Sequence, residues 1–235
     1  MPDLTFGQRV LAFNASLNLQ APLPAGISVM NPFRHNDCAI PASEAFYTKF
    51  YDDHNKRFAI LGINPGRFGA GITGVPFTDP NHLRECCGID IPACGKAHEP
   101  SSQFIYEVIE ALGGPARFYG CWYINSLCPL GFTIRTDRGE KNYNYYDNSA
   151  LEKAVKPFII KTLREQIALG LFSDRCICLG TGKNAEFFRN INEEYGFFGE
   201  IIALEHPRWV IQYRAKKKGD YVRKYAEVLG GISGI

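Results

Sequence analysis

Residues 58–78 read Phe-Ala-Ile-Leu-Gly-Ile-Asn-Pro-Gly-Arg-Phe-Gly-Ala-Gly-Ile-Thr-Gly-Val-Pro-Phe-Thr. Phe58 to Ile63 form an apolar run without alternation, the pattern of a strand buried on both faces of a parallel sheet. Asn64-Pro65-Gly66 then breaks the run into a sharp loop at the carboxyl end of the strand, where open α/β sheets bind ligands. Gly66, Gly69, Gly71 and Gly74 follow closely and leave backbone N–H groups open to a ligand. Val75-Pro76-Phe77 places an aromatic ring just beyond. A polar amide, bare backbone and one ring together describe a small pocket for a flat, polar molecule. As a glycine-rich loop alone the stretch is unspecific: it is neither Gly-x-Gly-x-x-Gly nor a Walker A, and a loop that only turns the chain has the same composition.

Working outward, the 235 residues suit a single domain with a sizeable core. The chain is 46% hydrophobic and 21% charged, as in ordinary globular proteins. No apolar run approaches the roughly 18 residues of a membrane span, and Met1-Pro2-Asp3-Leu4-Thr5 lacks the features of a secretory leader. A cytoplasmic protein without membrane contact is expected. The eight cysteines would suit a disulfide framework only in a small secreted chain. Cys121, Cys176 and Cys178 fall in apolar strand-like runs and read as buried thiols, and Cys86, Cys87 and Cys94 fall in loop-like sequence. No Cys-x-x-Cys occurs, which gives zinc or an iron–sulfur cluster little support. The net charge of +2 neither demands nor excludes nucleic acid.

Leu4 to Leu17 carry apolar residues at helical spacing. Residues 20–40 run extended, and a helix is expected from Pro41 to about Asn55. Residues 78–100 show no period and read as irregular chain, a length that is often functional. A helix follows from Ser101 or Ser102 to Leu112. Cys121 to Ser126 form a second strand, and residues 132–148, rich in Tyr and Asn, read as loop. A long helix spans about 148–170, with Pro157 expected to break or kink it. Arg175–Leu179 is a third strand, residues 183–195 a helix, Glu200–Leu204 a fourth strand, and residues 217–229 a last helix. Strands alternating with helices predict a three-layer α/β/α sandwich around a central four-stranded, mostly parallel sheet. Asn64, Asn125-Ser126 and His206 fall at strand ends and converge on one rim.

The segment after the fourth strand is His206-Pro207-Arg208-Trp209-Val210-Ile211-Gln212-Tyr213-Arg214-Ala215-Lys216-Lys217-Lys218. It mixes cations for phosphate contact with aromatic and branched side chains that can wedge between bases. A solvated basic helix face and a structural histidine are the plain alternatives. Taken with Gly62 to Gly69, Thr73 to Phe77, and Asn125 to Leu130, the order of these pieces resembles the uracil-DNA glycosylase superfamily. The nearest branch is the single-strand-selective monofunctional type, in its second bacterial subgroup, and the resemblance runs from about Val29 to the last helix.

The resemblance implies the following roles. His206 donates to the oxyanion that develops on the departing base, and Asn64 positions water. Gly62, Ile63, Gly66, Arg67, Phe68, Ala70 and Phe77, with Asn125 or Ser126, form the base pocket. Arg208, Trp209, Val210, Ile211, Arg214, Lys216, Lys217 and Lys218 contact DNA. No cofactor or metal is implied, and no lysine stands in the pocket motifs for a Schiff-base step. The expected partner is DNA with a damaged or deaminated base, met by a monomer at the nucleoid. Three departures stand out. Without a gap, the family's base-reading asparagine falls on Ser126, with Asn125 one residue earlier. Arg67 stands where the family commonly has proline. The wedge after His-Pro is rewritten as Arg208 to Ile211. Xanthine or hypoxanthine is therefore open as a substrate beside uracil. A non-catalytic nucleic-acid-binding module and an enzyme of free nucleotides are the other readings.

Overall fold

The structure is a computed structural model that describes residues 4–234; the leader reading at Met1 to Asp3 lies outside them. Helix α1 (Phe6–Ser16) starts at a capping box. The Thr5 hydroxyl accepts the Gln8 N–H, and the Gln8 side chain takes the Thr5 N–H. Strand β1 (Ile27–Met30) and the short α2 (Pro32–His35) cross the extended segment. Helix α3 spans Ala39–Phe50 and leads to β2 (Arg57–Gly62). After the glycine loop come α4 (Ala70–Thr73) and α5 (Pro80–Glu85), then α6 (Pro100–Ala111) and α7 (Pro115–Cys121). Strands β3 (Trp122–Ser126), β4 (Gly131–Thr136) and β5 (Gly139–Tyr143) follow, then α8 (Ser149–Ala168). Strand β6 (Leu171–Leu179), α9 (Lys183–Tyr195), β7 (Glu200–Leu204), α10 (Pro207–Tyr213) and α11 (Lys218–Ser233) complete the chain.

The central sheet has the order β3-β2-β6-β7 and all its pairs are parallel, flanked by helices as the α/β reading requires. Its strands are near-continuous apolar runs because both faces are covered; Ala59, Ile60 and Leu61 of β2 are buried. Parallel pairing sends every strand's carboxyl end to the same rim.

Several expectations are corrected. Residues 132–148 are not a loop: β4 and β5 form a hairpin that pairs with β1 in a three-stranded antiparallel sheet. Residues Gly139 to Asn142 of β5 are exposed, so this strand has no apolar alternation to read and is held by its main-chain ladder. Residues 78–100 contain α5, capped by the Asp79 side chain on the His82 N–H. Cys94, in the same segment, forms a disulfide with Cys38 that ties it to the start of α3. Pro157 does not break α8, which continues through it; Val155, Ile159 and Leu163 on its buried face offset the missing N–H bond. The segment after His206 is ordered as α10, and the last helix starts at Lys218.

One buried charge ties the layers together. Arg57, at the start of β2, is 0% exposed. Its guanidinium donates to both Asp53 carboxylate oxygens at 3.0 and 2.7 Å and to the carbonyls of Tyr119 and Asn55 at 2.8 Å. It also lies over the Phe6 and Tyr51 rings. Removing one partner of such a pair leaves a buried charge uncompensated. Asp53 is itself 37% exposed, so solvent screens part of the pair, and Asp53→Ala should lower unfolding stability by about 1–2 kcal/mol at neutral pH, read by urea titration. The hydrogen bonds from Arg57 hold the Asp53 pKa below its ordinary value of 3.8. The stabilisation is thus fully present above the unfolded pKa and fades as pH falls through the lower folded one. The gap between variant and wild type should close in acid, and a pH-independent gap would refute the assignment.

Candidate active site

At the rim, β2 hands the chain to Ile63-Asn64, β3 ends in Ser126, and β7 leads to His206. These three ends and Phe77 surround a cavity of about 130 Å³, closed further by Gly66, Ala70, Pro76 and Arg208. Asn64 is held from both sides. Its Nδ2 donates to the Tyr143 carbonyl at 3.2 Å, and its Oδ1 accepts the Tyr145 N–H at 3.2 Å. The amide plane is thereby fixed by the chain leaving the β4–β5 hairpin. Nδ2 also approaches the Pro65 carbonyl at 3.5 Å, while Oδ1 keeps a second lone pair for a water molecule in the cavity.

Phe77 is the only described non-glycine residue with positive φ, at 53°. A phenylalanine in the left-handed region is strained, and such strain gathers where geometry serves function. The loop around it is pinned by Thr73, whose hydroxyl donates to the Thr78 carbonyl at 2.6 Å and accepts the Val75 N–H at 3.1 Å. The ring packs on the backbone of Gly62, where an added Cβ would come within 2.7 Å of it. Its centroid lies 6.0 Å from that of His206. Gly62 thus shapes the pocket through the ring without lining the cavity.

His206 precedes Pro207 at the first turn of α10, and its Nδ1 accepts the Arg208 N–H at 3.2 Å. A nitrogen that accepts carries no proton, so the neutral ring has its proton on Nε2. Burial, with the Arg208 charge adding to it, pushes the His206 pKa down to about 4. The histidine is therefore a neutral donor at physiological pH.

Ser126 is buried and lines the cavity. Asn125 points the other way, its Nδ2 donating to the Tyr123 hydroxyl, because consecutive strand residues face opposite sides. Arg67 and Phe68 do not line the cavity. Arg67 pairs with Glu140 at 3.8 Å and lies over the Phe68 ring, which is 51% exposed. Phe68 and Arg67 stand outside the cavity lining, and the Arg67 Nε is buried without a hydrogen-bond partner among the described residues.

Beyond His206, Val210 is fully buried and Ile211 packs against the core. As a helix, α10 turns Pro207 and Val210 inward at i, i+3, so Val210 cannot act as a wedge. The outer face presents Arg208, Trp209, Tyr213 and, just past the helix, Arg214, whose guanidinium sits 4.8 Å over the Trp209 ring. Lys216 and Lys217 are exposed, whereas Lys218 pairs with Glu107.

The cavity wall also holds residues the sequence reading missed: Glu99, Ser101, Asn142 and Asn144. Asn142 and Asn144 come from the hairpin read as loop; the Asn-Tyr-Asn run was the available signal. Asn142 is itself anchored, its Oδ1 accepting the Arg67 N–H at 3.1 Å. Glu99 comes from the end of the irregular segment, whose length was the only hint. No group of three or more His, Cys, Asp or Glu among the described residues is placed to hold a metal.

The chain resembles the single-strand selective monofunctional uracil DNA glycosylase of Mus musculus, at 29% identity over 150 residues, 57% of this chain and 52% of that protein. The Rattus norvegicus protein of the same description is 30% identical over the same shares. The chain spans about half the length of these curated relatives. The crystal structure of wild-type Pedobacter heparinus SMUG2 superposes with a TM-score of 0.95 at 50% identity, covering 99% of this chain and 100% of that one. A family model described as the uracil DNA glycosylase superfamily matches residues 48–230. With the parallel sheet and the site at its carboxyl rim, that match places the chain in the uracil DNA glycosylase superfamily.

Proposed function

We propose that the protein is a monofunctional DNA glycosylase that hydrolyses the N-glycosidic bond of uracil flipped out of DNA and leaves an abasic site. The observation that carries this reading is the neutral His206 with its Nε2–H available, in one cavity with the Phe77 ring and the oriented Asn64 amide. A base extruded from the stack rests on Phe77. As the C1′–N bond breaks, its electron pair goes to the base, and the His206 donor stabilises the oxyanion without needing to titrate. Asn64 holds the water that adds to C1′. The chain's own residues supply these roles without a metal or cofactor, and the protein acts as a monomer.

The DNA lies across the outer face of α10, where Arg208, Arg214, Lys216 and Lys217 offer phosphate contacts and Trp209 an aromatic surface. A second groove, lined by Gly180, Thr181, Lys183 and Trp209, shares Ile63 and His206 with the cavity and extends this path. Ser126 in place of an amide leaves room and a rotatable hydroxyl, so the pocket takes other deaminated bases, xanthine and hypoxanthine, beside uracil. The test is an abasic-site assay on oligonucleotides carrying each of these bases, single- and double-stranded. Uracil excision is expected, with measurable release of at least one deaminated purine. DNA binding without any abasic product would overturn the reading in favour of a binding module.

A further inference from the structure

Glu99 stands in the cavity wall with Asn64 and His206, and the chemistry above gives it no part. Its main chain is fixed: the N–H donates to Asp79 Oδ2 at 2.7 Å, and Asp79 is fully buried. Its Oε2 accepts the Ser102 hydroxyl at 3.1 Å. Ser102 Oγ in turn accepts the Asp79 N–H at 3.1 Å, so the hydroxyl's own proton is directed at Glu99. Oε1 takes no hydrogen bond from the described residues. It lies over Gly66, where a Cβ would come within 2.8 Å of it, and a Cβ on Gly69 would overlap Oε2. The carboxyl thus covers the bare face of the loop that begins at Asn64, and the glycines there make room for it. A carboxyl oxygen left open on the wall of the cavity that the Asn64 amide also lines has the placement of a general base.

We propose that Glu99 is a further catalytic residue, whose Oε1 takes a proton from the water that Asn64 holds as that water adds to C1′ of the sugar. This rests on the glycosylase reading. The water oxygen forms its bond to C1′, and the C1′–N electron pair leaves with the base beside His206. The water proton passes to Glu99 and then to solvent, while the released base anion takes a proton from solvent. Asn64 has no basic group for that proton; Glu99 supplies one.

The surroundings tune the carboxyl to this task. Burial raises the Glu99 pKa to about 7, and the Asp79 charge adds to the rise. The Ser102 hydrogen bond and the charges of Arg208 and His82 act in the opposite direction. His98, near Asp79 at 3.8 Å, and His206 are the other titratable groups close by. A base with a pKa near the working pH combines a useful ionised fraction with proton affinity. Below about 7 the group is protonated and cannot accept; above it the carboxylate is present. His206, already neutral above about 4, contributes nothing in this range.

The test is single-turnover uracil excision from a single-stranded oligonucleotide at saturating enzyme, from about pH 5 to pH 9, with wild type, Glu99→Gln and Glu99→Asp. The wild-type rate should rise about tenfold per pH unit up to a plateau above pH 7. Glu99→Gln should lower the plateau by about 10²-fold, the low end for general-base loss when leaving-group departure carries most of the barrier. Its profile should be flat and meet wild type near about pH 5, where only about one carboxyl in a hundred is ionised. Glu99→Asp should recover part of the rate and a sloping limb. DNA affinity should not change in either variant. An unchanged plateau in Glu99→Gln, or the same loss at every pH, would overturn the proposal while leaving the glycosylase reading intact. Absence of excision by the wild type would overturn that reading and this proposal with it.

Discussion

His206→Ala should reduce single-turnover excision of uracil by about 10²–10³-fold, the scale on which one oxyanion donor acts in a water-poor site. The loss should appear in the chemical step, with DNA affinity close to wild type, because the ring meets charge that exists only as the glycosidic bond breaks. The variant also frees the Arg208 N–H at the start of α10. Losing that cap costs about 1 kcal/mol of stability, which a melting curve separates from the rate effect. His206→Gln, which restores a neutral donor, should recover part of the rate. With a pKa near 4, the imidazole is neutral across the usual assay range, so its own titration should depress activity only in strong acid. Full activity in His206→Ala would remove the histidine from the chemistry.

Asn64→Ala should lower excision by about 10²-fold or more, the cost expected when a reacting group is no longer positioned. The structure adds a second consequence. The amide bridges the Tyr143 carbonyl and the Tyr145 N–H, so its removal takes a partner from each and loosens the chain carrying Asn142 and Asn144. Hydrogen exchange at the Tyr145 amide should quicken in the variant. Asn64→Asp should not rescue activity fully, since a carboxylate oxygen would face the Tyr143 carbonyl where an N–H now donates. Wild-type excision in Asn64→Ala with faster exchange at Tyr145 would show a structural role alone.

The layers of the fold were legible wherever both faces of an element are buried. Phe58 to Ile63, the run ending in Ser126, and Arg175 to Leu179 are apolar because helices cover them, and that composition survives in one dimension. The antiparallel hairpin was not legible. Gly139 to Asn142 are exposed, and what holds them is mainly hydrogen bonding between main chains, which leaves no mark on side-chain pattern. Helix α10 was hidden by its shortness: one inward face of Pro207 and Val210 is too little to set a period, so Val210 read as a wedge when it is core.

The site divides along the same line. The sequence by itself determined the residues that punctuate strand ends, Asn64, Ser126 and His206, and the ring of Phe77, because an abrupt stop after a buried run is visible in order alone. Parallel pairing then brings those ends to one rim. Only the tertiary structure decided which of Asn125 and Ser126 enters the cavity, since the choice follows the strand's rotation in the sheet. Only it placed Arg67 and Phe68 outside, fixed the proton of His206 on Nε2, and brought in Glu99, Asn142 and Asn144. Those last residues reach the cavity from segments far along the chain, and their placement depends on partners such as Asp79, Ser102 and Tyr145 that become neighbours only when the chain has folded.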